Sequence, residues 1–400
     1  MSQDHKHKIG LSTAIAVCLN AMIGSGIFTA PAAIASYAGP AGILAFIFVG
    51  IAVWCLALSF ARLAYLYPEP GSFYTYTKAW AGHSWGIIAS IAYIIGLVTS
   101  MSMLTHVCSF YLSELTPVIH PRLLGLMVIV SLTILNLLGM VLSEVGQKIL
   151  LFCTLFPLFA VISVCLFNMQ PLDSITFAPH GFSHILEVTR IVIFGFFGFE
   201  CASSLFGVVE NPKKNVPLAL SNSVLLVTCI YSLFVGTLLL AVPLSVLSNP
   251  TIPLSTILAN VLPQYRWLTW CIHFSILSAI VGTLHSMIWS VSVFIHSLVH
   301  RIQYMHFFLK NYSPTAQYKV IVILLGTAIS TVFLLFNNLD LFFSLAALCI
   351  VTSLCLSVIA LLFLKDEWKS GRNIITLLAL ATASVILFFG GQGIVDVLLR

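Results

Sequence analysis

Apolar residues run along this chain in long blocks, and the positions that interrupt them are mostly charges, prolines and glycines. A helix needs about 20 apolar residues to cross the hydrocarbon of a bilayer. The pattern predicts eleven such spans, over residues 9–36, 41–66, 84–112, 121–142, 146–168, 186–209, 215–243, 266–299, 318–336, 340–364 and 373–394. The fold class that follows is an all-α polytopic membrane protein.

Composition sharpens this reading. Of 400 residues, 60% are apolar, 12% aromatic and only 7% charged, and the mean hydropathy is +1.08. A soluble domain carries about 25% charged residues to cover itself, so the lipid bilayer is an obligatory partner. The net charge of +5 comes from 17 Lys and Arg scattered along the chain without a basic block, which excludes a nucleic-acid binder. The ten cysteines lie inside apolar runs and form no CxxC pair, so they read as small core hydrophobes and not as a disulfide framework or zinc site. The polar start MSQDHKHK leads into an apolar stretch too long for a signal-peptide core, so the first span is expected to stay.

The cations orient the spans. With a cytoplasmic N-terminus, thirteen fall inside: Lys6, Lys8, Arg62, Lys78, Lys148, Lys213, Lys214, Arg301, Lys310, Lys319, Lys365, Lys369 and Arg372. Only Arg122, Arg190, Arg266 and Arg400 fall outside. This is a strong positive-inside asymmetry, and an odd span count places the C-terminus outside. The expected outer loops, 169–185 and 244–264, hold no Lys or Arg and carry Pro171, Pro179, Pro250 and Pro253.

Two spans are abnormal. Span 1 carries Gly24-Ser25-Gly26 near its middle, and span 6 carries Gly195 and Gly198 among Phe194, Phe196, Phe197 and Phe199. Paired glycines mark places where a helix can open, which lipid tolerates only where the freed backbone faces a cavity or ligand. Spans 1 and 6 also begin two consecutive sets of five, with one span left over. An odd set makes the second enter from the opposite side, so the repeat is inverted: one repeat over about 9–168, a second over about 186–364, and an extra helix at about 373–394, all in a single domain 1–400. Interrupted helices at matching positions of inverted halves point to a transporter binding site.

The stretch from Asn20 to Phe28, with Ala30-Pro31, resembles the first helix of the amino acid–polyamine–organocation (APC) permeases. The run from Phe196 to Ser204, continuing from Glu210 to Pro217, is similar to that family's sixth helix and following loop. Gly39-Pro40 and Tyr67-Pro68-Glu69-Pro70-Gly71-Ser72 fit its second helix. The resemblance implies a LeuT-like 5+5 inverted repeat with helices 1 and 6 broken. Three departures stand against it. Family members commonly have twelve helices; Arg62, in Ala61-Arg62-Leu63-Ala64, replaces a frequent Glu; and Thr154 stands where some proton-coupled relatives place a Lys three residues before a proline, here Pro157.

An amino acid zwitterion needs partners for both charges in a low-dielectric site. Opening span 1 at Gly24-Ser25-Gly26 would expose backbone N–H groups and the positive end of a helix dipole to a carboxylate. Opening span 6 near Phe194 to Phe197 would expose carbonyls to an ammonium. The resemblance implies the same roles, with Ser25 and Gly26 at the carboxylate, the carbonyls of Met22, Phe194 and Phe197 at the ammonium, and Phe194 as an aromatic lid. The competing reading of Gly24 and Gly26 is close helix packing. Glu200 is the one acid well inside a span, and an intramembrane carboxyl is a functional candidate, here for proton coupling, or else a brace for the broken helix. His285 is either a side-chain contact for the substrate or a core histidine. Ser275, Ser278, Thr283 and Ser286 offer oxygen ligands for sodium, so the coupling ion, proton or sodium, stays open. No metal site and no other cofactor is expected.

No Walker A motif is present, so transport would draw on an ion gradient or on exchange, by alternating access in a plasma or inner membrane. Phe194 stands where arginine-exchanging relatives have Trp, and no second acid approaches the site, which favours a neutral or apolar amino acid. Three alternatives are an amino acid/polyamine antiporter for cationic substrates, a membrane enzyme or haem protein using His106, His273, His285 and His296, and a receptor or scaffold that binds without moving its ligand. Oligomeric state is not fixed by the sequence.

Overall fold

The computed structural model describes residues 8–398 apart from 117, 172–175, 180, 182–183, 250–252 and 365–371. Lys6, Lys365, Lys369, Arg400 and Pro250 lie outside the described residues. Among the described residues the α-helices are, in chain order, α1 (Leu11–Met22), α2 (Gly26–Tyr37), α3 (Ile43–Leu66), α4 (Ser72–Ala81), α5 (His83–Leu115), α6 (Pro121–Leu137), α7 (Met140–Phe167), α8 (Ile185–Phe194) and α9 (Cys201–Ser204). The remainder are α10 (Pro212–Ala241), α11 (Leu244–Leu247), α12 (Leu254–Val261), α13 (Trp267–Leu298), α14 (Gln303–Leu309), α15 (Pro314–Leu335), α16 (Leu339–Val358) and α17 (Asn373–Leu398).

Eight described helical stretches are long and apolar enough to cross a membrane. The others that complete the pattern are α6, which has 17 residues, and the two interrupted helices, α1 with α2 and α8 with α9. These positions correspond to the eleven spans. Local chemistry sets several boundaries. Pro121 opens α6 with His120 accepting from the Arg122 N–H at 3.2 Å, Pro314 opens α15 with Ser313 accepting from the Ala316 N–H at 3.3 Å, and Asn338 accepts from the Leu341 N–H at 3.0 Å to cap α16.

One boundary differs from expectation. Gly139 separates α6 from α7, so α7 begins six residues before the predicted span and places Glu144 on its first turns instead of in a connection. The short helices α4, α11, α12 and α14 were not anticipated; each sits in a connection, where a few turns satisfy backbone groups between crossings.

The helices pack through small residues. A Cβ placed on Gly50 of α3 would lie 2.4 Å from the Thr228 side chain of α10, so glycine permits this crossing. Side-chain contacts gather the lysine-rich end of the bundle. Lys213 lies over the Tyr65 ring at 4.8 Å, Arg301 pairs with Glu69 at 3.1 Å, and the Ile9 N–H donates to Val208 O at 2.9 Å. At the opposite end, the Ala41 N–H donates to Phe177 O at 2.8 Å.

Candidate functional site

The two glycine-bearing helices are interrupted side by side. α1 ends at Met22, the Gly24 N–H turns back to Met22 O at 3.0 Å, and α2 resumes at Gly26. α8 ends at Phe194 and gives way to successive tight turns, with Gly195, Phe196 and Phe197 N–H groups reaching Val192, Ile193 and Phe194 carbonyls at 3.0, 3.2 and 3.3 Å. Gly198 then takes φ +111° before α9.

Two side chains brace the breaks. The Tyr231 hydroxyl of α10 faces Met22 O at 2.7 Å and Gly195 O at 3.0 Å, so one hydroxyl spans both broken helices. On the other side, Thr283 Oγ1 of α13 donates to Asn20 O at 2.7 Å and lies 3.4 Å from Ile23 O. Neither residue stood out as a brace in the sequence, since a Tyr or Thr in an apolar helix carries no local signal of its partner.

A cavity of about 490 Å³ lies against the breaks. It touches Met22, Gly24, Ser25, Gly26, Phe194 and Phe197, so all six residues expected at a substrate site border one space. Phe194 packs on Phe197 with ring centroids 5.3 Å apart and on Phe343 of α16 at 4.0 Å. The cavity continues past these rings to Gln392 near the end of α17, toward the end opposite the lysines. Among the described residues, no Asp, Glu, Lys, Arg or His lines it. The leading N–H groups of α2 border the cavity, and α2 has no side-chain cap.

Glu200 and His285 lie elsewhere. Glu200 is fully buried behind the break, where Oε2 accepts from the Gly198 N–H at 3.0 Å and Oε1 lacks a partner in bonding geometry, with Tyr93 of α5 beside it. His285 is fully buried and faces α6 and α7: Asn136 Nδ2 donates to Nδ1 at 3.2 Å, and Nε2 meets Ser143 O at 3.2 Å. Thr283 and Met287 carry the cavity-facing side of α13, and a residue two positions along a helix points nearly the opposite way.

The hydroxyls considered for sodium are engaged within the protein. Ser275 Oγ donates to Thr154 O at 2.8 Å, Ser278 Oγ meets Thr154 Oγ1 at 3.1 Å, and Ser286 Oγ donates to Gln147 Oε1 at 2.7 Å. Of the histidines considered for haem, His106 binds Phe336 O at 2.8 Å through Nε2. No group of three or more His, Cys, Asp or Glu able to hold a metal ion occurs among the described residues.

A helical bundle with two broken helices facing one uncharged cavity defines a polytopic membrane protein of the transporter type. The amino acid permease family matches residues 9–395, and the chain belongs to it. An uncharacterized transporter of Mycobacterium tuberculosis (strain ATCC 25618 / H37Rv) is 26% identical over 290 residues, covering 72% of this chain and 64% of the relative. The branched-chain amino acid permease BcaP of Bacillus subtilis (strain 168) is 24% identical over 275 residues, covering 64% and 59%. The matched region thus spans under two thirds of these relatives. The crystal structure of MhsT in complex with L-phenylalanine superposes with a TM-score of 0.67 at 12% identity, covering 95% of this chain and 98% of that one. That likeness establishes the LeuT-type fold.

Proposed function

We propose that the chain is a secondary transporter of a neutral, mainly apolar amino acid, working by alternating access. The observation that carries this reading is the uncharged cavity at the paired helix breaks. The substrate carboxylate sits at the N-terminus of α2, against Ser25 and Gly26, where N–H groups and the helix dipole favour an anion. The ammonium sits at the end of α8, against the carbonyls near Phe194 and Phe197, with Phe194 closing over it. Because Met22 O already accepts from Tyr231 and Gly24, its role in holding the ammonium is secondary.

The rest of the wall supports a neutral side chain. Met103, Leu104, Ala346 and Ala347 are apolar, and Ser100, Ser344 and Gln392 are uncharged. A second cationic group would be left there without a counter-charge, which a low-dielectric site penalises. Glu200, fully buried beside the α8 break with its Oε2 on the Gly198 N–H, is the group that would carry a coupling proton. The positive-inside asymmetry puts the lysine-rich end and N-terminus in the cytoplasm and the C-terminus outside, in a plasma or inner membrane.

Counterflow in proteoliposomes across the twenty amino acids, with and without sodium and a pH gradient, tests the proposal. Uptake of branched or other apolar amino acids is expected, and Ser25→Leu should abolish it while expression persists. Full uptake by Ser25→Leu, or a strict preference for arginine or lysine, would overturn it.

A further inference from the structure

We propose that Glu144 is a latch that holds α1 closed at the lysine-rich end, a positioning residue for transport that acts through Thr13. The inference rests on the reading above only in taking α1 to swing during the transport cycle.

The cavity runs from the breaks toward Gln392 of α17. Between the breaks and the lysine-rich end, α1 is packed solid: Thr13, Ala14, Val17 and Cys18 are all fully buried. A substrate released toward that end must pass where α1 now lies, so α1 has to leave its seat. Its N-terminal lead moves with the segment after α9, since Ile9 donates to Val208 O and accepts from the Glu210 N–H, both at 2.9 Å. α7 stands on the other side of the seam.

Two polar links cross that seam. The deeper one joins Asn20 Nδ2 to Gln147 O at 2.8 Å and to Gln147 Oε1 at 2.7 Å, with both residues buried. The outer one joins Thr13 Oγ1 to Glu144 Oε1 at 2.6 Å. Lys148 Nζ donates to the same oxygen at 2.7 Å from one turn further along α7. Hydrogen bonds to an ionised acceptor are roughly twice as strong as neutral ones. The outer link is also replaceable. Glu144 is 13% exposed and Lys148 is 52% exposed, so when α1 departs, water can take the place of the Thr13 hydroxyl and Lys148 still holds the carboxylate. The buried amides of Asn20 and Gln147 have no such exchange open to them. A contact that is strong when closed and solvated when open is what a reversible latch requires, and only the Glu144 link of these two meets both conditions.

Cys18, about one and a half turns along α1 from Thr13, is buried with its Sγ donating to Phe199 O at 3.2 Å, so it labels only when α1 leaves its seat against that break as well. In purified protein, the rate of maleimide labelling at Cys18 is followed by peptide mass spectrometry, with Cys165, a fully buried thiol on α7, as the reference. Thr13→Val should raise the Cys18 rate about tenfold relative to Cys165, as expected for loss of a hydrogen bond to a charged group. Thr13→Ser, which keeps the hydroxyl, should restore it. Glu144→Gln should fall between, because its amide oxygen still accepts from Thr13 but the charge is gone. A Cys18 rate unchanged in Thr13→Val, an equal rise at Cys165, or Thr13→Ser labelling as fast as Thr13→Val would each overturn the latch. Should Thr13→Val fail to fold, a wild-type rate in Glu144→Gln overturns it alone. Wild-type protein that moves no amino acid would sink the substrate assignment and leave this labelling readout intact.

Discussion

Two glycine-to-alanine substitutions should separate the structural from the binding role of the helix breaks. At Gly198, φ is +111°, and an added Cβ would lie 2.7 Å from both the backbone carbon and the Cβ of Ala21 and 2.8 Å from its carbonyl oxygen. A non-glycine residue held in such a backbone region costs about 1–3 kcal/mol. Forcing a methyl against the backbone of α1 adds about 1–3 kcal/mol of overpacking. The sum, about 2–6 kcal/mol, is a large share of the stability a folded protein holds in reserve. At Gly26, by contrast, nothing lies within 4 Å of the added Cβ, and the position opens α2. Alanine there is tolerated or favoured as a helix residue, by up to about 1 kcal/mol. Its methyl nevertheless enters the space beside the N–H groups assigned to the carboxylate.

Thermal denaturation in detergent, paired with counterflow in liposomes, measures both sides. Gly198→Ala should unfold at a clearly lower temperature and transport little. Gly26→Ala should keep wild-type stability and lose at least tenfold in apparent affinity, equivalent to about 1.4 kcal/mol of binding. Wild-type stability in Gly198→Ala would refute the close approach of the two breaks. Wild-type affinity in Gly26→Ala would remove the carboxylate from the start of α2.

Glu200→Gln keeps the side-chain size and an oxygen that can accept from the Gly198 N–H, so the break should persist. The expected outcome is a flattened pH profile of uptake, and an unaltered profile would take Glu200 out of coupling. Tyr231→Phe removes one hydroxyl from two carbonyls on different broken helices. Leaving those acceptors without their donor should destabilise by about 1–3 kcal/mol and weaken substrate binding together, and a stable, fully active variant would contradict the bracing role.

How far the sequence reveals this site depends on the range of the physics involved. The breaks are local events: Gly24, Gly26, Gly195 and Gly198 weaken their own helices, so the spans that carry them declare themselves, and the six residues expected at the breaks border one cavity. The boundary between α6 and α7 is also local, yet Gly139 ends α6 before the charges do, and reading the charges as the loop hid Glu144 in a connection when it lies on a helix. Charge marks a span boundary well only where the charge has no partner within the bundle. Glu144 meets Thr13 from α1 and Lys148 one turn along α7, and so sits on the helix at little cost.

The far wall is a different case. Phe343 and Tyr231 reach the cavity from helices more than a hundred residues from α1, and nothing in their own neighbourhoods distinguishes them from the many aromatics that face lipid or core. His285 shows how little phase error matters to a sequence reading and how much to a site. It belongs to the same helix as Thr283 and Met287, which line the cavity, but its position around the axis turns it to Asn136 and Ser143. A helix buried on nearly all sides offers no amphipathic stripe to fix that phase. α13 is such a helix, buried along most of its length, so only the packing of α1, α6 and α7 around it decides which residues see substrate.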